Sequence, residues 1–456
     1  MSARRINRRQ FIKRTSSLAA GAFGLPYLVS AAALGRSGSV APSNRIVMGC
    51  IGVGGQGTVN MQNFLLRSDV QVVAVCDVCR SSSDYYGGQT RGWEEAQKIV
   101  LDHYADQKNS PTFKGCDVYT DFRPLLARSD IDAVTVCSPD HWHGLISIAA
   151  AQAGKDIYCE KPLTNTIAEG RAVCDAVGRF RRVLQTGSHE RSRPNARYAC
   201  ELVRNGYIGK LHTIRVNMPC SDDHHHQILQ NNSPQPSIPI PDGLDYNMWV
   251  GPASWMPYNK LDCHFWWRFI LNYGGGEMTD RGAHIIDLAQ LGNGTDDTGP
   301  VEISAQGTRP GDGIYDTFMD YRFELLYANG VRLLGTTESP RGLRFEGSDG
   351  WIFIHVHGGN LEADPVSLLS ASIKPNEIHL GRSDGHHANF IDAVNLRKDP
   401  FAPAEVGHRS ATICHLTNIA MLLGRRLRWD PVKEMVLGDD EANCMLYRPM
   451  RSPWTL

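Results

Sequence analysis

The chain predicts an α/β protein of two domains. A parallel sheet with helices on both faces, a doubly wound arrangement, comes first, and a second domain around a mixed or antiparallel sheet follows. Three observations predict this. The 456 residues exceed what one hydrophobic core usually serves. From Asn44 to Gly187 short apolar runs alternate with helical patterns at βαβ spacing. After Gly187 the pattern changes to strand-like runs separated by hairpin-type glycines.

The elements follow in order. RIVMGCIG (Arg45 to Gly52) is an unbroken apolar run closed by glycine, the pattern of a strand buried on both faces. Thr58 to Leu66 reads as the next helix and VQVVAVCD (Val70 to Asp77) as a second strand. Glu94 to Tyr104 is helical within an insertion, and CDVYTDF leads to the strand Ile131 to Pro139. Leu145 to Ala153 gives a helix closed by Gly154. Asp156 to Pro162 is a strand, Ile167 to Phe180 a helix, and Arg181 to Gly187 a strand. In the second half Arg197 to Asn205 is a helix and KLHTIRVNMP a strand. Ser221 to Gly243 reads as a polar, proline-rich loop. VEISAQGT, TFMDYRFELLYANG, VRLLGTTES and GWIFIHVHG are strand-like, and Ala388 to Leu396 and Ser410 to Leu423 are helical. The domains are thus expected at 44–188 and 189–456.

Hydrophobic residues make up 42% of the chain and charged residues 21%, the balance of a globular protein. Lysine and arginine number 47 against 48 aspartates and glutamates, so no net field draws in nucleic acid or an anionic membrane. The N-terminus departs from this balance. Arg4, Arg5, Arg8, Arg9, Lys13 and Arg14 form a basic segment. Thr15 to Gly35 is moderately apolar and broken by Pro26, with Ser30 and Ala31 to Ala33 offering small residues for cleavage. RRQFIK matches the twin-arginine pattern. Residues 1–35 therefore read as an export signal, against the alternatives of a disordered basic arm or a lipid-associated anchor. No other run reaches about 20 apolar residues, so the mature chain is expected to carry no membrane span and to work in the periplasm or another extracytoplasmic space.

Twelve cysteines in an exported chain would ordinarily suggest disulfides. Cys50, Cys76, Cys137 and Cys159, however, lie in or at the end of apolar strands, where a free thiol behaves as a small hydrophobe. Cys76 and Cys79 spell C-x-x-C, but no second pair stands at zinc spacing.

Gly52, Gly54 and Gly57 spell G-x-G-x-x-G, with Gly55 between them. The motif follows a strand and opens a helix, and Asp77 closes the next strand 20 residues beyond Gly57. That context suits a dinucleotide. The glycines admit a pyrophosphate to the helix N-terminus, and the carboxylate accepts from ribose hydroxyls. An aspartate repels a 2′-phosphate, which favours NAD over NADP, although nearby Arg80 keeps NADP open. In CSPDHWHG, Ser138, Pro139, Asp140, His141 and His143 sit at the carboxyl end of a strand, where ligands of such sheets bind; the plain alternative is that they cap the next helix. In CEKPLT, Glu160 and Lys161 end a further strand. A lysine desolvated at the mouth of a cofactor crevice suits proton transfer, and a structural ion pair is the other reading.

GGGEMTDRGAHIIDL, Gly274 to Leu288, places Asp280 and His284 four residues apart, on one face if helical. An imidazole beside a carboxylate is a common acid/base pair. Alone it reads as a surface pair; together with Lys161 it reads as chemistry. DDHHHQ, Asp222 to Gln227, offers divalent-metal ligands from a polar loop, but contiguous histidines do not all face one ion, and no metal is assigned. His386 and His387 precede a helix and read as exposed.

In this order, GVGGQG, CEKP and GGG…D-x-G-x-H resemble the Gfo/Idh/MocA oxidoreductases from about Asn44 onward. The resemblance implies an N-terminal Rossmann domain and a C-terminal α/β domain whose large open mixed sheet often mediates oligomerisation, the last helices packing back on the Rossmann domain. It implies an NAD site including Ser138, Pro139, His143, Glu160 and Lys161, and catalysis by Lys161, Asp280 and His284. Arg281 stands where many relatives carry a bulky aromatic. GSHERSRPNARYACELVRNGYIGKL and MWVGPASWMPYN resemble an exported branch of the family. The implied reaction is hydride transfer between a sugar or polyol C–H and a nicotinamide, with cofactor held tightly and recycled because free NAD is scarce outside the cytoplasm. In it His284 handles the hydroxyl proton, Asp280 orients His284, and Lys161 polarises the oxygen. The alternatives are redox-neutral glycoside cleavage through a transient keto-sugar, and a catalytically silent carbohydrate-binding protein.

Overall fold

The computed structural model describes residues 44–107 and 114–456. The basic segment, the twin-arginine pattern and the apolar run that follows lie outside the described residues.

The first sheet is parallel throughout, in the order β5-β2-β1-β6-β7-β8. Its strands are β1 (Ile46–Ile51), β2 (Val70–Cys76), β5 (Asp117–Tyr119), β6 (Ala133–Val136), β7 (Asp156–Cys159) and β8 (Leu184–Thr186), while β3 (Ser82–Tyr85) and β4 (Gln89–Arg91) form a separate hairpin. The strands are apolar on both sides because both faces are covered. Met48, Cys50 and Val72 pack with Phe64, Tyr158 and Phe390. Ile51, Val134, Val136 and Ile157 pack with Leu145, Ala150 and Val173. The order reverses at β1, where helices depart from β2 and β6 to opposite sides and leave a crevice beyond the carboxyl ends.

The second sheet has nine strands. They are β9 (Leu211–Asn217), β10 (Pro300–Thr308), β11 (Asp320–Tyr327), β12 (Arg332–Thr336), β13 (Gly342–Gly347), β14 (Trp351–His355), β15 (Leu361–Asp364), β16 (Leu427–Asp430) and β17 (Met435–Val436). The order is β15-β14-β13-β9-β12-β11-β10-β16-β17, with β9 and β12 parallel and the other neighbours antiparallel. Strict alternation shows that one face is solvated. In β11, Tyr321, Phe323, Leu325 and Tyr327 are buried while Asp320, Arg322 and Glu324 are exposed. The helices Pro194–Arg204, Arg281–Asn293 and Ala404–Leu423 contribute to the core on the apolar face. The helix His386–Leu396 returns to the first sheet, where Phe390 meets Phe64 and Tyr158 edge-on.

Two expectations are overturned. The loop from Ser221 contains the helix Asp223–Asn231, closed at its start by a capping box in which Asp222 and His225 bond reciprocally. His386 and His387 are not exposed. His386 is buried, its Nε2 2.8 Å from the Thr186 carbonyl, and His387 stacks on Tyr158 at 5.2 Å. Both belong to the first turn of the helix, which starts two residues earlier than its apolar pattern suggests. All twelve cysteines are free thiols, and burial pushes the Cys79 thiol up to about 12.

Candidate active site

The glycine turn is made by backbone contact. A Cβ on Gly57 would lie 1.8 Å from the Gly52 carbonyl oxygen, and one on Gly52, whose φ is +77°, would strike the backbone of Ser138. Gly55 opens the helix Gly55–Leu65 and has nothing within 4 Å of its Cβ position, which leaves room beside the first turn, whose leading N–H groups have no partner within a helix. Asp77 closes the turn from below. Its Oδ2 accepts from Val53 N–H at 2.8 Å and its Oδ1 from Cys79 N–H at 2.9 Å. Burial raises its carboxyl to about 6, an effect that these backbone donors only partly offset. Arg80 pairs with Glu94 at the surface through bonds of 3.0 and 3.1 Å.

A cavity of about 510 Å³ runs from this turn across the ends of β1, β6 and β7 and is lined by Gly52, Gly54, Gly55, Asp77, Ser138, Pro139, His143, Glu160, Lys161, Asp280 and His284. The residues suit a dinucleotide. The turn leaves room at Gly55, Asp77 lines the wall, and the Ser138 hydroxyl is buried with no partner. Glu160 is held in place by Asn60, whose Nδ2 donates at 2.8 Å and whose Oδ1 lies 3.0 Å from His387 Nε2.

Lys161 donates from Nζ to Asp280 Oδ1 at 2.5 Å, and Arg268 Nε stands 3.5 Å from the same oxygen. Burial would raise the Asp280 carboxyl, but Lys161 and Arg268 overcome it and hold the carboxyl far below the usual carboxylate range. Asp280 is therefore an anion, and its partner differs from the one the i, i+4 spacing suggests. It sits at the N-cap of the helix Arg281–Asn293 rather than inside it, and its side chain turns to Lys161. His284, one turn in, is buried with Nδ1 unpartnered, so Asp280 does not orient it. Burial, with His189, Lys161 and His357 nearby, lowers His284 well below its ordinary value and keeps it neutral. Asp140 lines the same wall. Burial, only partly offset by Lys161 and Arg268, pushes its carboxyl well up.

Other candidates fall away from the cavity. His141 packs between Trp249 and Tyr273, with Nε2 3.0 Å from the Trp249 carbonyl. His143 reaches the cavity wall but lies between the carbonyls of Pro162 and Ser138, at 2.7 and 2.8 Å. Arg281 pairs with Glu277 and Asp222, outside the cavity lining. In the Asp222–His224–His225 cluster Asp222 pairs with Arg341 as well as Arg281, His225 Nε2 lies 3.2 Å from Glu277 Oε2, and His224 packs among the rings of Tyr86, Phe265 and Phe269.

Sequence reasoning missed Arg268, His189 and His357. Arg268 stacks over Trp267 at 4.4 Å in the aromatic run HFWWRF, a density that signals a buried cation. His357 precedes two glycines directly after β14, the pattern of a strand end turned into a site.

Residues 46–188 match the family model described as the NAD-binding Rossmann fold of Gfo/Idh/MocA oxidoreductases, and residues 195–456 match that of the C-terminal α/β domain. Levoglucosan dehydrogenase of Pseudarthrobacter phenanthrenivorans is 30% identical over 38% of this chain and 35% of its own. A glycosyl hydrolase family 109 protein of Shewanella baltica is 28% identical over 45% of this chain and 44% of its own. The chain thus spans less than half the length of these curated relatives. Aldose-aldose oxidoreductase of Caulobacter crescentus, complexed with glycerol, shares the fold with a TM-score of 0.58, at 19% identity over 84% of this chain and 99% of its own.

Proposed function

The chain belongs to the Gfo/Idh/MocA oxidoreductase family, and from that premise we propose that it is an NAD-dependent oxidoreductase acting on a CH–OH group of a sugar or polyol. The observation that carries the reading is the Lys161–Asp280 pair at 2.5 Å, in the same cavity as the glycine turn, with the unpartnered His284 beside it. NAD, when bound, supplies the hydride acceptor. Asp77 would hold its ribose and the first turn of Gly55–Leu65 its pyrophosphate. Lys161, held by Asp280, can donate from Nζ to the substrate oxygen. His284, neutral, takes the hydroxyl proton. The test is to incubate the protein with NAD and a panel of sugars and polyols, following nicotinamide reduction and keto-sugar formation. Binding without turnover across the panel refutes the reading and leaves a carbohydrate-binding protein.

A second reading is favoured by the similarity to glycosyl hydrolase family 109 proteins. In it the same residues serve redox-neutral cleavage of a glycoside, with free sugar released and no net change in the nicotinamide. The RRQFIK pattern supports export of the folded chain with its cofactor already bound, a state in which NAD is retained and recycled.

A further inference from the structure

Three imidazoles from distant parts of the chain converge at one side of the cavity. His189 lies in the turn after β8, His284 in the first turn of Arg281–Asn293, and His357 in the turn after β14. Their ring centroids are 4.5, 5.2 and 5.9 Å apart, and one ring nitrogen from each lies within 4.8 Å of the other two. All three line the cavity. An unprotonated imidazole offers one nitrogen lone pair to a cation, and here three such nitrogens come within reach of one point.

Further observations point to a ligand. His284 is 4% exposed, and its Nδ1 has no hydrogen-bond partner; a buried polar atom of this kind calls for an explanation. His357 has φ +67°, a left-handed conformation that is strained for a non-glycine residue. A glycine would sit there without that strain. His189 Nε2 lies 3.4 Å from Glu190 Oε1, the carboxylate support that metal-bound imidazoles commonly have behind them. Lys161, which faces His284, is paired with Asp280, and Arg341, which faces His357, is paired with Asp222.

We propose that His189, His284 and His357 form a binding site for a divalent first-row transition-metal cation, zinc being the type. Three neutral nitrogens and an open fourth position facing the cavity form the ligand set of a catalytic rather than a structural site. The open position takes an oxygen of the substrate, a hydroxyl or a carbonyl. This role rests on the sugar or polyol reading above and changes one part of it: His284 holds the cation instead of taking the proton itself, and the proton of the cation-bound hydroxyl, acidified by the metal, leaves to water at the cavity mouth while the hydride goes to NAD.

The test uses the full chain, freed of metal with a chelator and titrated with Zn²⁺ by calorimetry, with Co²⁺ as a spectroscopic probe of nitrogen coordination. NAD binding serves as the folding control. Wild type is expected to bind one cation per chain. His357→Ala and His189→Ala are expected to bind at least roughly 100-fold more weakly while retaining NAD. Absence of stoichiometric binding in wild type, or unchanged Zn²⁺ affinity in both variants, overturns the site. Sugar oxidation undiminished in the metal-free protein overturns the cation's part in the reaction and leaves the oxidoreductase reading standing. Zinc bound by the histidines without any sugar turnover does the reverse.

Discussion

Replacing Lys161 with methionine removes the ammonium while keeping much of the side chain's bulk, and it separates a catalytic role from a structural ion pair. The pair is short, 2.5 Å, with side chains 14% and 21% exposed. At an effective dielectric of about 20, unit charges at that distance attract by roughly 7 kcal/mol, most of which desolvation of the two groups offsets. Stripping one partner from a buried pair costs about 3–5 kcal/mol. Arg268, 3.5 Å from the same carboxylate oxygen, remains to hold Asp280, so the expected loss of folding stability is smaller, about 1–3 kcal/mol. The effect on turnover is larger. A positioned proton donor or acceptor contributes about 10²- to 10⁴-fold, and kcat should fall by that factor with NAD affinity near wild type. The assay is steady-state sugar oxidation beside NAD titration and thermal melting of the same preparation. Asp280→Asn is the companion. If the two act as one unit, Lys161→Met/Asp280→Asn is little worse than the poorer single variant. A Lys161→Met protein that turns over at the wild-type rate refutes the reasoning.

Three further outcomes are expected. Asp77, with its carboxyl raised to about 6, accepts from ribose hydroxyls as an anion only above that value; NAD affinity should weaken as pH falls through about 6, and Asp77→Asn should bind weakly with that pH dependence removed. The sign for stability is opposite: a raised carboxyl stabilises the free protein at low pH, and that contribution is lost as pH rises from about 4 through 6, which melting curves across this window test. Gly57→Ala places a methyl 1.8 Å from the Gly52 oxygen, whereas Gly55→Ala meets nothing within 4 Å; the first should lose both NAD binding and thermal stability, and the second should melt like wild type. Lysine substitutions at Arg8 and Arg9 together should block export of a reporter fused to residues 1–43, and continued export would refute the twin-arginine assignment.

Much of the fold was legible because period and punctuation report it directly. The run IVMGCI, apolar at every position, reads as a strand covered on both faces, and the structure buries it between two helical layers. The alternation of β11 likewise announced a sheet with one wet face. The glycine turn was legible because its spacing follows from a local contact, a Cβ on Gly57 meeting the Gly52 oxygen at 1.8 Å, whereas the contact that demands glycine at position 52 comes from Cys137 and Ser138, far along the chain. The helix Asp223–Asn231 was not legible. Two of its three histidines, His224 and His225, are buried by long-range packing, and Arg281 and Arg341, from later in the chain, settle on its capping Asp222.

By itself the sequence determined the two-domain α/β plan, the glycine turn with Asp77, and the residue types available for proton transfer. Only the tertiary structure decided which of them act on one another. Asp280 and His284 are neighbours by spacing, yet the chain enters the helix at Asp280 with a backbone that sends the carboxylate to Lys161, 119 residues away. His284 is left instead among His189 and His357. Local periodicity records which face a residue occupies. The partner across that face is set by long-range packing, which no short stretch of sequence encodes.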